Sequence, residues 1–100
     1  MFNTNINNQS FGDNTVQMVW EKGNTIIGKD RNLYRKDSCG ATMYRNDYGN
    51  TNSYSGWEID HIIPKSKGGN DDLLNLQPLQ WANNRHKSGS YPNWACKISA

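Results

Sequence analysis

Apolar residues in this 100-residue chain come in short clusters separated by polar, Gly-punctuated stretches. In "TVQMVWEKG" Val16, Val19 and Trp20 fall at helical spacing, Thr15 stands where a cap is needed, and Gly23 can stop the turn, so the pattern predicts a short helix. The stretch "TIIGKDRNLYRKDSCGATMYRNDYG" has small apolar clusters broken by Gly28, Gly40 and Gly49, which reads as short strands and turns. From Trp57 the organisation tightens. "WEIDHII" reads as a strand closed by Pro64, and "SKGGNDD" as a loop with glycines for positive φ and Asn70 or Asp71 for turn bonding. "LLNLQPL" reads as a second short strand and "QWANNRHKSG" as a helix ended by Ser88-Gly89. Residues 57–89 therefore predict a compact ββα unit. Residues 1–14 have few apolar anchors and many Asn, which predicts a flexible or loosely docked arm ahead of a domain over 15–100. The fold class expected is α+β, as one small domain without internal repeats.

Composition narrows the setting. Mean hydropathy is −0.96, and no apolar run approaches the roughly 18 residues of a membrane span. The N-terminus lacks a basic region followed by an apolar run, so a cytoplasmic chain without a membrane partner is the default expectation. The formal charge of +2 says little, but Lys65, Lys67, Arg85, Lys87 and Lys97 give the second half a basic tendency. A nucleic-acid partner would be held by a few phosphate contacts rather than by a broad basic surface. Neither Cys39 nor Cys96 belongs to a CxxC pair, which excludes a four-thiolate zinc site. In a cytosolic chain the expectation is two free thiols, with a disulfide as the alternative.

Four polar residues of the ββα unit call for chemistry: Asp60, His61, Asn75 and Asn84. Burying even a neutral polar group unpaired costs about 2–7 kcal/mol, so an acid beside an imidazole on an apolar strand needs partners. Asp60 and Asn84 offer hard oxygen ligands which, completed by water and phosphate oxygens, suit Mg²⁺ or Mn²⁺. His61 can take a proton from water near neutral pH. Each residue alone has a plainer reading: Asp60 bonded to a backbone turn, His61 a half-buried imidazole, Asn75 a strand-end residue, Asn84 a helical polar residue with Asn83 as its rival. Glu58 shares the face of Asp60 by alternation and could support a ligand, but has no assigned role. The tryptophans read as core rather than as base-stacking residues.

"DHIIP", "SKGG", "NLQPL" and "NNRHKSG", in this order and spacing, resemble an HNH endonuclease of the ββα-metal type. The resemblance is strong over 57–89 and extends weakly to "YRKDSCG" and "YG". It implies that Asp60 is a metal ligand, that His61 is the general base, and that Asn75 ties the loop together and helps orient His61. It implies Asn84 as second ligand, three residues before Lys87 as in the family's (H/N)xxK helix pattern. Lys65, Lys67, Arg85 and Lys87 are candidate phosphate contacts, with an ordinary solvated face as their plainer reading. DNA is the substrate the resemblance implies, and Zn²⁺ or Ni²⁺ can occupy such a site in a crystal without being the working ion.

The chain departs from the family pattern where many relatives carry two zinc-binding CxxC pairs. Cys39 stands alone and "QWANN" replaces the second pair, so aromatic packing by Trp57, Trp81 and Trp20 or Trp94 is expected to stabilise the fold instead. Adjacent residues on a regular strand point to opposite faces, so Asp60 and His61 can share a site only at a twisted strand end or from two sides of one phosphate. One unit has one metal site and should nick one strand, and cutting both strands needs a homodimer or two events. The alternatives are a non-catalytic nucleic-acid-binding module, or a nuclease active only inside a phage-packaging or restriction assembly.

Overall fold

The computed structural model describes all of residues 1–100. Helix α1 spans Asp13–Trp20 and turns Val16, Val19 and Trp20 into the core. Gly12, not Thr15, is its N-cap, so the helix starts inside the stretch assigned to the arm. Asp13 lies in the first turn, where a negative charge suits the helix dipole. The Gly23 amide donates to the Trp20 carbonyl as the chain leaves the helix.

An antiparallel meander follows, with β1 at Asn24–Thr25, β2 at Tyr34–Lys36 and β3 at Thr42–Tyr44. Buried Arg35 fastens it to α1 by donating from Nη1 to the carbonyls of Glu21 and Gly23 at 3.1 and 2.9 Å. The ββα unit is then built as the sequence pattern predicts. Strand β4 (Trp57–His61) pairs antiparallel with β5 (Leu76–Gln80), in a register that runs from Trp57 opposite Gln80 to His61 opposite Leu76. Pro78 is tolerated because a two-stranded sheet leaves β5 an edge strand. Helix α2 (Trp81–Lys87) starts where Gln80 Oε1 accepts the amides of Ala82 and Asn83 at 2.7 and 3.1 Å. It stops at Ser88, whose φ of 49° leaves the helical region.

Alternation divides β4 between two environments. Trp57 and Ile59 join Leu76, Met43 and the buried face of α1 in one apolar cluster. Trp20 and Trp57 lie 5.1 Å apart, and their indole N–H groups donate to the carbonyls of Arg31 and Arg45. Trp81 and Trp94 are half-buried. Glu58 and Asp60 face α2.

The free-thiol expectation is corrected: Cys39 and Cys96 form a disulfide across 57 residues. The expectation followed from a cytosolic setting, and no sequence spacing shows that the tail returns to the β2–β3 turn. Polar contacts reinforce the junction. Asp37 Oδ1 accepts the amides of Cys39 and Ala41, and its Oδ2 accepts the Gln80 amide and Asn83 Nδ2. Asn83 Oδ1 in turn accepts the amides of Lys97 and Ile98. No helix is long and apolar enough to cross a membrane.

Candidate active site

A cleft of about 250 Å³ opens beside the end of β4, between α2 and residues 1–4, and Asp60, His61 and Asn84 all line it. The alternation that separates the Asp60 and His61 side chains is thus resolved at a strand end, where both faces border one cavity. His61 is the last residue of β4, and its Nε2 lies 2.8 Å from Asp71 Oδ1. Its ring packs against Phe11, with centroids 6.0 Å apart. The Nδ1 atom makes no protein hydrogen bond, and no unpartnered side-chain nitrogen or oxygen is sealed from solvent, so Nδ1 is open.

Asp60 is 5% exposed, with Oδ2 accepting from Gln77 Nε2 at 2.9 Å and Oδ1 from Lys87 Nζ at 3.2 Å. Burial pushes its carboxyl above the ordinary carboxylate range, and the bonds from Gln77 and Lys87 offset this only in part. Asn84 donates from Nδ2 to Glu58 Oε1 at 2.9 Å, while its Oδ1 accepts nothing from the protein and is open by the same criterion. Glu58 is held by Arg85 through Nε at 3.2 Å and Nη2 at 2.8 Å. Asn83, the rival of Asn84, spends its amide on Asp37 and the tail.

Asn75 ties the loop rather than touching His61. Its Oδ1 accepts the Ile63 amide at 2.8 Å, and its Nδ2 donates to the carbonyls of Ile63 and Asn70 at 3.1 and 2.9 Å. The four candidate phosphate contacts are all engaged within the chain. Lys65 Nζ donates to the carbonyls of Met1, Thr4 and Asn5 and to side-chain oxygens of Thr4 and Asn8. Lys67 donates to the Tyr91 carbonyl at 3.1 Å, and Arg85, paired with Glu58, lies 4.7 Å from the Phe2 ring centroid. Lys87 is 1% exposed and donates to Asp60 and, at 3.0 Å, to the His61 carbonyl, so its charge is spent inside the protein.

A family model, HNH endonuclease, matches residues 39–89, half of the chain, and that span holds every one of these candidate residues. The chain belongs to the HNH endonuclease family. No curated protein and no solved structure matches it. HNH nucleases act on nucleic acid and generally use a divalent metal ion. The donor set of this HNH chain fits a hard cation. Asn84 Oδ1 is free and open, a carboxylate has lone pairs beyond those Gln77 and Lys87 use, and both are oxygen donors. No group of three or more His, Cys, Asp or Glu forms a ready cage, so an ion there would draw its other ligands from water and phosphate, as Mg²⁺ commonly does.

Two residues that hold the candidate site, Gln77 and Asp71, escape the sequence reading as site residues, which leaves a third, Glu58, without an assigned role. Glu58 carried a signal, its alternation with Asp60. Gln77 is found only once the register sets it opposite Asp60. Asp71 sits in a loop whose Asn, Asp and Gly content already explained it as a turn.

Proposed function

We propose that the chain is a metal-dependent endonuclease that hydrolyses DNA phosphodiester bonds. The observation that carries this reading is the cleft itself, where an imidazole nitrogen without a partner, an amide oxygen without a partner and a buried carboxylate meet. His61 Nδ1 takes a proton from water, and the oxygen so activated attacks phosphorus. The bond to the 3′ oxygen breaks and that oxygen leaves with a proton from solvent, giving a 5′ phosphate and a 3′ hydroxyl. Asp60 and Asn84 would hold one Mg²⁺ or Mn²⁺, which when bound neutralises charge on the phosphate and the leaving oxygen. Glu58 fixes the Asn84 amide so that its oxygen, not its N–H, faces the cleft. Asn75 keeps the loop after β4 in place. Lys65, which lines the cleft, and Lys67 and Arg85 would exchange their internal partners for phosphate oxygens. Lys87 instead serves as the partner of Asp60.

Plasmid nicking with Mg²⁺, Mn²⁺ or EDTA tests the reading, with His61→Ala beside the wild type. Metal-dependent relaxation of supercoiled DNA is expected, with the variant slower by about 10²–10⁴-fold while its circular dichroism and DNA retention stay the same. A variant that cuts at the wild-type rate removes His61 as base. A folded wild type that leaves the plasmid uncut in every metal shifts the reading to a binding module, or to a nuclease that needs its assembly.

A further inference from the structure

We propose that Asp71 is the positioning residue for His61, holding the ring by Nε2 so that Nδ1 is the nitrogen presented to water. This role rests on the reading of His61 as the general base. A neutral imidazole has one donor nitrogen and one acceptor nitrogen, and an ionised carboxylate only accepts. With Asp71 Oδ1 at 2.8 Å from Nε2, the hydrogen belongs on Nε2 and the lone pair on Nδ1, the atom that has no partner and is open.

The carboxylate is itself held. The Ile6 amide donates to both Asp71 oxygens, at 3.1 and 3.2 Å. The loop that carries Asp71 is pinned on one side by Asn75, whose Nδ2 donates to the Asn70 carbonyl, and on the other by Asn70 Oδ1, which accepts the Asp72 amide. Asn75, expected to help orient His61, therefore reaches it through this loop. The ring has no other polar side-chain partner, and Phe11 supports it by packing alone. Removing the Asp71 carboxylate would leave tautomer and ring rotation unspecified without disturbing the Asp60 and Asn84 donors.

The test reads the ring directly. The chain has two histidines, so His86→Gln, which changes an exposed residue outside the site, leaves His61 alone in the spectrum. Long-range ¹H–¹⁵N spectra at about pH 8, above the ordinary imidazole range, report the tautomer of the neutral ring. The Nε2–H form is expected to dominate in this background and to give way to a mixture on adding Asp71→Ala. In nicking assays Asp71→Ala should lower kcat by about tenfold to a hundredfold, a fraction of what a positioned base supplies, with KM for DNA unchanged. An Nδ1–H ring in the His86→Gln background, or a tautomer that Asp71→Ala leaves unchanged, overturns the proposal. So does a loss that appears only in KM. If Asp71→Ala does not fold, Asp71→Ser takes its place, and the spectrum of the parent still decides which nitrogen carries the hydrogen. Should the parent not cleave DNA at all, the reading of His61 as base falls and this role with it, while the spectrum separately reports whether Asp71 holds the ring.

Discussion

The two faces of the β4–β5 ribbon are held by opposite means. On the α1 side Trp57, Ile59 and Leu76 meet Val16, Val19 and Trp20 in an apolar cluster. On the α2 side Glu58, Asp60, Asn83, Asn84 and Lys87 are as fully buried, yet none of their polar atoms is both sealed and unpartnered. Apolar burial is non-directional, and a slightly smaller side chain loses only some of it. A buried polar network is all or nothing, because removing one member leaves the others desolvated and unpaired. The chain thus gathers its apolar packing on one face of a five-residue strand and a buried polar network on the other, with His61 at the strand end where both faces border the cleft. The polar face costs stability, and what it provides is fixed orientation: Glu58 sets Asn84, and Lys87 with Gln77 sets Asp60.

Lys87→Met should break this contrast most sharply. It leaves the Asp60 carboxylate buried without its cation and should cost about 3–5 kcal/mol in urea unfolding. Ile59→Val on the opposite face should cost only about 0.5–1.5 kcal/mol. Adding Asp60→Leu to Lys87→Met replaces the whole pair by apolar groups and should recover most of the loss. A Lys87→Met cost no greater than that of Ile59→Val, or a double variant whose losses simply add, would place the two faces on the same footing.

Reducing the disulfide should come next, at about 2–4 kcal/mol. The effect should also be lopsided. Cys39–Cys96 closes the junction where Asp37 and the tail grip Asn83 and the start of α2, whereas α1 has no contact with that junction in the hydrogen-bond network. Amide hydrogen exchange in α2 should therefore accelerate more than exchange in α1. Equal acceleration in both helices would mean that the bridge stabilises the domain as a whole rather than its polar face. The aromatic packing expected to stabilise the fold in place of a zinc site works together with a covalent tie. Disulfides persist in oxidising surroundings, which the cytosolic expectation had set aside.

The ββα unit was legible because its signals are local: alternation in "WEIDHII", turn chemistry in "SKGGNDD", and helical polar residues ended by Ser88-Gly89. What was not legible depends on contacts across the chain. The positions of Lys65, Lys67, Arg85 and Lys87 show charge but not partners, and the fold alone reveals that Lys87 is buried against Asp60. Residues 1–10 hold the site through single amides and carbonyls, such as the Ile6 amide on Asp71 and the Asn3 side-chain oxygen that accepts the Ile59 amide, and these leave no pattern in sequence. Asp71 was hidden for another reason: a loop Asp already has a sufficient explanation as a turn former.

The smallest effect separates two carboxylates by the sign of their pH dependence. Burial raises the Asp60 carboxyl above its ordinary value of 3.8, so between that value and the raised one the native chain keeps a proton that the unfolded chain has released. The Asp60 contribution is therefore fully present below 3.8 and is lost as pH rises through the raised value. Asp47 behaves oppositely. Hydrogen bonds from Ser53 and Ser55 lower its carboxyl, so its contribution is present above 3.8 and is lost as pH falls through the lowered value. Urea unfolding from about pH 3 to pH 6 should show the stability difference between wild type and Asp60→Asn shrinking or turning negative as pH rises. The difference between wild type and Asp47→Asn should grow over the same range. Slopes of the same sign would mean that Lys87 and Gln77 fully offset the burial of Asp60, and that ionising the polar face costs the fold nothing.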